Sequence, residues 1–226
     1  MESLFPGELR LRRTNQEGEQ TERKVDKIDW KARVVCETCN NTWMSHIEHS
    51  HAKPVMTPLI TGEIGIPIGS NEARSLALFA FKTAVVLDHS KNRENHFFSR
   101  EERHAFGEKQ IIPSTVQMWL AGFANHRRGG RFKSFYHHGQ FPSSNRFQMY
   151  VCTCAIGNLA FQVVAAKSTI GLTFEPLQGF ESLAVPLWPE PFRGYIWPGT
   201  EIGATVLTSN EQFDSFALRW HEVSIF

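Results

Sequence analysis

The apolar pattern that begins at Asn71 constrains the fold of this chain more than any other sequence feature. Apolar side chains recur there at steps of three and four residues: Ala73, Leu76, Ala77, Ala80, Phe81 and Ala84. This spacing predicts an α-helix with one buried face. The face is widened by Leu78, Phe79, Val85 and Val86. We therefore expect this helix to lie at the centre of the core.

Strand signals dominate the chain after Thr115. Residues 116–121 form one candidate strand, and 146–155 and 159–166 flank Ile156-Gly157-Asn158, which is typical of a hairpin turn. Less regular segments are the weak strands 172–174 and 204–208 and the proline-rich loop 185–199. Helices followed by a mostly antiparallel sheet predict an α+β fold.

Capping residues predict two further helices. The polar run 40–42 can accept the free amide hydrogens of a first turn, which predicts a helix that starts near Trp43 and ends at Pro54 and Pro58. Ser99 and Glu102 match a capping box. A short helix is expected to follow it to about Phe106 and to stop at Gly107.

The charge-rich segment 8–33 mixes Glu and Arg with almost no apolar periodicity, which indicates a loose hairpin or an exposed loop. The 226 residues suffice for one large domain or two small ones. We expect an amino-terminal unit over 1–62 and an α+β domain over 63–226. One continuous domain is the alternative.

Charge and composition exclude several classes of protein. The formal net charge of +1 gives no global attraction to nucleic acid, so DNA contact would need a local patch. The first thirty residues are charged and lack an apolar stretch, so we expect a cytoplasmic protein without membrane association. Phosphate-cradling glycine loops, serine nucleophile elbows and dinucleotide fingerprints are absent from the sequence.

Cys36 and Cys39 form a Cys-x-x-Cys turn. Such a turn bends two sulfur atoms toward one point and supplies two of the four ligands that a zinc ion usually takes. In a reducing cytosol, close cysteines are more often metal ligands or redox groups than structural disulfides. A redox pair and two unrelated cysteines are the alternatives to half of a zinc site.

The cysteine pair belongs to a longer motif, CxxCNxxWMSxxE, which runs from Cys36 to Glu48. Further pieces are PLI at 58–60, FKTA at 81–84, IGNLAFQ at 156–162 and two Trp-Pro steps. Together they resemble a group of bacterial HNH-endonuclease-like proteins, well over residues 36–88 and in fragments elsewhere. The resemblance implies a zinc knuckle followed by a helix that contributes to a nuclease site.

The resemblance implies roles for particular residues. Cys36 and Cys39 would bind a structural zinc ion, and Asn40 and Glu48 would contribute to the active site. His49, next to the motif, is a further active-site candidate. The chemistry would be hydrolysis of DNA phosphodiesters with Mg²⁺ or Mn²⁺, with a histidine acting as general base.

The sequence departs from the family pattern in its first half. Ser3 stands where the family's general-base histidine would be, and Lys31 stands where an orienting asparagine is expected. A second Cys-x-x-Cys would lie upstream of Met1. The module is therefore expected to be incomplete, or to have recruited other ligands.

Three more groups are candidates. His46, His49 and His51 lie within six residues of one another, and His46 and His49 can share a helix face, where either could complete a zinc or catalytic cation site. Three solvated helix histidines are the alternative. Cys152 and Cys154 could donate to zinc from one strand face, but their apolar setting favours the core. The densest basic run contains Arg127, Arg128 and Arg131 and would suit phosphate contacts, with a solvated turn as the alternative.

Three functions compete at this point. The first is a metal-dependent DNA endonuclease of the HNH-like type. The second is a non-catalytic zinc-knuckle protein with a recognition or nucleic-acid-binding role, which Ser3 and Lys31 favour. The third is a redox protein that uses Cys36 and Cys39, which requires a depressed thiol pKa and no bound metal.

Overall fold

The computed structural model describes residues 9–14, 20–25, 35–89, 96–124, 130–140, 146–168, 183–189, 194–198 and 206–220. Its helical elements are α1 (Glu37–Cys39), two π-helical segments (Asn40–Met44 and Ile47–Ala52), α2 (Lys53–Thr61), α3 (Ser70–His89), α4 (Arg100–Lys109) and α5 (Asn210–Leu218). Its strands are β1 (Leu9–Thr14), β2 (Gln20–Val25), β3 (Ile66–Ile68), β4 (Val116–Gly122), β5 (Gly130–Gln140), β6 (Arg146–Ile156), β7 (Leu159–Ser168), β8 (Ala184–Trp188) and β9 (Tyr195–Trp197). The predicted α+β class is confirmed.

Five strands form one antiparallel sheet in the order β5-β6-β7-β4-β8. Strands β6 and β7 are the predicted hairpin, with Ile156 opposite Leu159. Apolar side chains of the sheet join α3 in the largest buried cluster. Others join Phe213 and Phe216 of α5 in a second cluster. Helices therefore contribute to the core on both faces of the sheet.

Helix α3 confirms the central helix predicted from the sequence. The six positions that define the predicted face are buried, and of the four that widen it Leu78 and Val85 are buried and Phe79 and Val86 are half-buried. The aromatic ring of Phe81 has no exposed surface. That ring makes edge-to-face contacts with Phe98 and Phe106, at centroid distances of 5.1 and 4.7 Å. Such aromatic pairs add stability beyond their buried area.

The helix after the cysteine pair starts earlier and ends later than predicted. Helical backbone runs unbroken through residues 37–61, which we call the knuckle helix, with Cys36 as its N-cap and Gly62 as its C-cap. Pro54 does not end it but lies at the start of α2, directly after the π-helical segment Ile47–Ala52. Pro58 lies inside α2.

The capping box of Ser99 and Glu102 is confirmed, but Gly107 does not stop α4. The helix ends at Lys109, and Gln110 adopts the left-handed C-cap conformation at φ 53°. Gly107 instead provides room for the indole of Trp43, whose Cε2 atom would lie 3.3 Å from a Cβ placed there.

The proline-rich segment is more regular than predicted. It contains β8, which is an edge strand of the main sheet, and β9, which pairs with β3. Pro186 is tolerated because an edge strand has one side without a partner strand. Leu207, in the weak strand 204–208, forms an isolated bridge with Phe123, and residues 204 and 205 lie outside the described residues. The candidate strand 172–174 lies outside the described residues.

Strands β1 and β2 pair as an antiparallel hairpin within the charge-rich segment. The division into 1–62 and 63–226 stays a prediction. Side chains from both sides of it, among them Ile47, Leu59 and Leu76, belong to one buried cluster.

Candidate metal centre

Cys36 and Cys39 lie at the start of the knuckle helix. Cys36 is exposed and Cys39 is half-buried, and both are free thiols. The Cys36 sulfur accepts a hydrogen bond of 3.2 Å from the Cys39 backbone N–H, so it serves as the cap of the first turn. The turn that brings the cysteines together is therefore also the turn that begins the helix.

The two thiols differ in their tendency to ionise. The pKa of Cys36 is lowered, first by a hydrogen bond with the Cys39 side chain and then by the Cys39 backbone N–H. The pKa of Cys39 is raised by the same side-chain contact and by partial burial. Because the thiolate is the form that binds metal and attacks electrophiles, Cys36 is the member of the pair that ionises first.

In metal-free protein, we expect a limiting amount of iodoacetamide to alkylate Cys36 before the other three cysteines. Its thiolate should persist to a lower pH than that of a free cysteine, because its pKa is lowered. Cys152 and Cys154 are buried and should stay unlabelled until the protein unfolds. Mass spectrometry of the labelled peptides measures the order, and earlier labelling of Cys39 would contradict it.

Within the described ranges, no group of three or more His, Cys, Asp or Glu side chains is placed to hold a metal ion. Cys36 and Cys39 supply two thiol donors, which are two of the four ligands of a tetrahedral zinc site. Cys152 and Cys154 are buried in the core, as their apolar setting predicted. Their sulfur atoms lie 3.8 Å apart in the middle of β6.

Asn40 lies at the cysteine end of the knuckle helix. Its side chain is exposed, and its Nδ2 atom donates to Asn41 at 3.4 Å. Eight residues of mostly π-helical backbone separate Asn40 from Glu48, which is roughly two helical turns. The structure therefore groups Asn40 with the cysteines and not with Glu48 and His49.

His49 has a fixed ring orientation. Its Nδ1 atom lies 3.0 Å from the carbonyl oxygen of Ser45 and 3.2 Å from the Ser45 hydroxyl. A carbonyl oxygen can only accept, so in the neutral ring this bond places the proton on Nδ1 and the lone pair on Nε2. An imidazole held through its other nitrogen in this way is suited to bind a metal or to accept a proton.

Glu48 pairs with Lys82 of α3. The Lys82 ammonium donates to Oε1 of Glu48 and also lies over the Phe79 ring, 4.7 Å from its centroid. The Lys82 side chain is 9% exposed, whereas that of Glu48 is 44% exposed. The Glu48 carboxylate thus connects the buried Lys82 ammonium with the surface of the knuckle helix.

His46 contacts His51 and not His49. The two rings meet edge to face with centroids 4.9 Å apart. The spacing of five residues matches the i to i+5 repeat of a π-helix, and Ile47–Ala52 is π-helical. The prediction that His46 shares a face with His49 assumed regular α-helix, and the wider π-helical turn changes the neighbour. Such turns occur frequently at functional sites.

Of the three arginines proposed to contact DNA, Arg127 and Arg128 lie outside the described residues. Arg131, near the start of β5, contacts α5. Its guanidinium donates to the carbonyl oxygen of Asn210 at 3.4 Å and lies 5.4 Å from the Phe213 ring centroid. Ser3 and Lys31 also lie outside the described residues.

Comparisons of the chain with protein-family models, curated proteins and solved structures gave no match. Of the helices that the structure describes, none combines the length and apolarity needed to cross a lipid bilayer.

Sequence reasoning missed Lys82 as a site residue. A signal for it existed, because Lys82 is the single charged residue in the apolar run 76–87. A lysine inside such a run must find a partner for its ammonium, since an unpaired buried charge is strongly unfavourable. Its partner, Glu48, is 34 residues away, and the sequence does not specify that pairing.

Proposed function

We propose that this chain is a cytoplasmic HNH-endonuclease-like protein that hydrolyses DNA phosphodiesters with Mg²⁺ or Mn²⁺. The observation that carries the proposal is the arrangement of Glu48 and His49 on the π-helical part of the knuckle helix. Each side chain is held by one atom, Glu48 through Oε1 and His49 through Nδ1. The other polar atom of each is left for chemistry, which suits a site that must be oriented before substrate arrives.

The proposed roles follow from the chemistry of these atoms. His49 Nε2 takes a proton from a water molecule while the water oxygen bonds to phosphorus. The bond from phosphorus to the leaving sugar oxygen then breaks, and that oxygen takes a proton from solvent. A divalent cation bound at Glu48 would stabilise the charge that develops on the phosphate oxygens.

Cys36 and Cys39 have a separate, structural role in this proposal. Two thiolates at the start of the knuckle helix would hold zinc together with ligands that the described residues do not provide. Zinc binding would then stabilise the first turn, whose N–H groups have no helical partners. Asn40, next to the pair, belongs to this end of the helix.

Metal content and plasmid nicking test the proposal together. The purified chain is expected to contain zinc, and exchange of both Cys36 and Cys39 for serine should remove it. Relaxation of supercoiled plasmid with Mg²⁺ or Mn²⁺ should fall at least about 100-fold in His49→Ala, because general-base catalysis contributes about 10²–10⁴-fold. His104→Ala, on the exposed face of α4, is the matched control and should nick normally.

Each outcome of that assay decides between the candidates. Nicking by His104→Ala but not by His49→Ala supports the nuclease. Zinc without nicking in the unchanged chain supports the second candidate, a non-catalytic zinc-knuckle protein, which the serine at position 3 favours. If neither zinc nor nicking is found, both candidates are wrong, and the lowered pKa of Cys36 then favours a thiol function.

A further inference from the structure

Cys36 is an unusual residue for the N-cap of a helix. It begins the knuckle helix, where its sulfur atom accepts from the Cys39 backbone N–H at 3.2 Å. Helices prefer serine, threonine, aspartate or asparagine at this position, and a thiol sulfur is only a weak acceptor. Capping alone therefore does not account for a cysteine here. A second cysteine follows three residues later, in the same first turn.

The two sulfur atoms of this pair lie within reach of each other. The Cys36 sulfur is held at the backbone nitrogen of Cys39, and the two side chains also contact each other through their thiols. Both thiols are free. Cys-x-x-Cys is the spacing at which disulfide oxidoreductases form and break a disulfide. The arrangement therefore allows a bond between the two sulfur atoms within one turn of the chain.

Exposure to solvent distinguishes this pair from the second cysteine pair. Cys36 is exposed and Cys39 is half-buried. Cys152 and Cys154 are both buried, although their sulfur atoms lie only 3.8 Å apart. Thiol–disulfide exchange requires that a reagent reach one sulfur atom. Of the four cysteines, Cys36 is thus the one that a dissolved reagent reaches first.

We propose that Cys36 and Cys39 form a reversible dithiol–disulfide switch that exchanges with small-molecule disulfides of the glutathione type. Cys36 is the attacking residue, because its sulfur is exposed. Cys39 is the resolving residue, because it is less exposed and contacts the sulfur that is attacked in the second step. Accessible redox cysteines are often placed next to a resolving cysteine in this way. The inference requires neither the zinc ion nor the nuclease activity of the proposed function.

Exchange proceeds in two steps. The Cys36 sulfur loses its proton and bonds to one sulfur of the dissolved disulfide, whose S–S bond breaks and releases a first thiol that carries the proton. The Cys39 sulfur then loses its proton and bonds to the Cys36 sulfur, and a second thiol leaves with that proton. The chain has lost two electrons and two protons, which the dissolved disulfide has gained. Excess thiol reverses both steps.

The two states of the switch differ in what the start of the knuckle helix can bind. In the reduced state, both sulfur atoms can become thiolates, which is the form that binds metal ions. In the oxidised state, each sulfur is bonded to the other and neither forms a thiolate. Oxidation of Cys36 and Cys39 is therefore expected to abolish any zinc binding by the pair.

Trapping with oxidised glutathione tests the two assigned roles. The reduced full-length chain, freed of metal by a chelator, is exposed to oxidised glutathione, quenched with acid and analysed by mass spectrometry. We expect a disulfide that joins Cys36 to Cys39, and dithiothreitol should reverse it. Cys39→Ser should instead accumulate a mixed disulfide of Cys36 with glutathione. Cys36→Ser should form its adduct at least about 10-fold more slowly, because the remaining sulfur is less accessible.

The serine variants are matched to each other, and both are expected to fold. Cys36→Ser introduces a preferred N-cap residue, and Cys39→Ser changes one atom of a half-buried side chain. Circular dichroism verifies the helix content of both. If the unchanged chain forms no disulfide between Cys36 and Cys39, the switch is wrong. Equal rates of adduct formation in the two variants would overturn the assignment of Cys36 as the attacking residue.

The outcomes also separate this inference from the proposed function. Reversible disulfide formation in a chain that neither contains zinc nor nicks plasmid would support the switch and contradict the nuclease. Zinc content and nicking that depends on His49, without any disulfide between Cys36 and Cys39, would overturn the switch alone.

Discussion

Replacing Gln162 by leucine is expected to lower the free energy of unfolding by about 4 kcal/mol. Gln162 is completely buried in β7 and makes all four hydrogen bonds available to a glutamine side chain. Oε1 accepts from Arg219 Nε at 2.7 Å and from Trp220 Nε1 at 2.9 Å. Nε2 donates to Thr153 Oγ1 at 2.8 Å and to the Phe216 carbonyl at 3.0 Å.

The large effect arises from the groups that the leucine would leave behind. Arg219 is only 3% exposed, and its guanidinium lies 4.7 Å from the Phe216 ring centroid and 4.9 Å from that of Trp119. A buried charge that loses a strong acceptor costs several kcal/mol, and each unpaired neutral group adds about 1–3 kcal/mol. Relaxation around the site offsets part of this sum.

Thermal and urea unfolding measure the effect, and a decrease of about 10 °C in Tm is expected for a chain of this length. Gln148→Leu, an exposed glutamine on neighbouring β6, is the matched control and should change stability by less than about 0.5 kcal/mol. The double variant of Gln162→Leu with Arg219→Leu should be less destabilised than the sum of the singles, because both partners become apolar. If Gln162→Leu alone lowers the free energy of unfolding by less than about 1 kcal/mol, the hydrogen bonds of Gln162 do not stabilise the fold as expected.

Exchange of Gly157 for alanine is expected to destabilise the protein by about 3 kcal/mol, for two reasons that add. Gly157 has a φ of +57°, where a residue with a Cβ is strained by about 1–2 kcal/mol. A Cβ there would also lie 2.5 Å from the Ile60 carbonyl oxygen and 2.8 Å from Ile60 Cγ2. That carbonyl accepts from both the backbone and the side chain of Asn158, at 3.0 and 3.1 Å. The new methyl group would therefore push the β6–β7 turn away from α2.

Gly65→Ala separates the two reasons. Gly65 has a similar positive φ of +76°, but nothing lies within 4 Å of a Cβ built on it. Replacing Gly65 by alanine should therefore lower the free energy of unfolding only through backbone strain, by about 1–2 kcal/mol. Urea unfolding of both variants measures the difference. Equal losses for the two would show that contact between the turn and the knuckle helix contributes little.

The parts of the fold that were predicted correctly depend on neighbours in sequence. The buried face of α3 follows from its three- and four-residue spacing, and the β6–β7 hairpin follows from two apolar runs around Gly157 and Asn158. The capping box of Ser99 and Glu102 needs only three residues of separation. In each case the residues that carry the pattern lie a few positions apart in the sequence.

The errors occurred where tertiary packing overrode a local preference. Gly107 has low helix propensity, but the close approach of Trp43 places it inside α4. Pro54 was expected to end a helix, but helical backbone continues through it from the π-helical segment into α2. That π-helical turn also pairs His46 with His51, which a regular 3.6-residue repeat does not predict.

The sequence by itself determined the secondary elements with strong periodicity, the α+β class, and the Cys-x-x-Cys turn that places Cys36 and Cys39 together. Only the tertiary structure decided which distant polar groups meet. Lys82 finds Glu48 across 34 residues, and Gln162 finds Arg219 across 57. Local periodicity shows which face of an element is buried, but the partner of a buried charge depends on how the elements pack. The contact between α3 and the knuckle helix therefore decides which residues the candidate site contains.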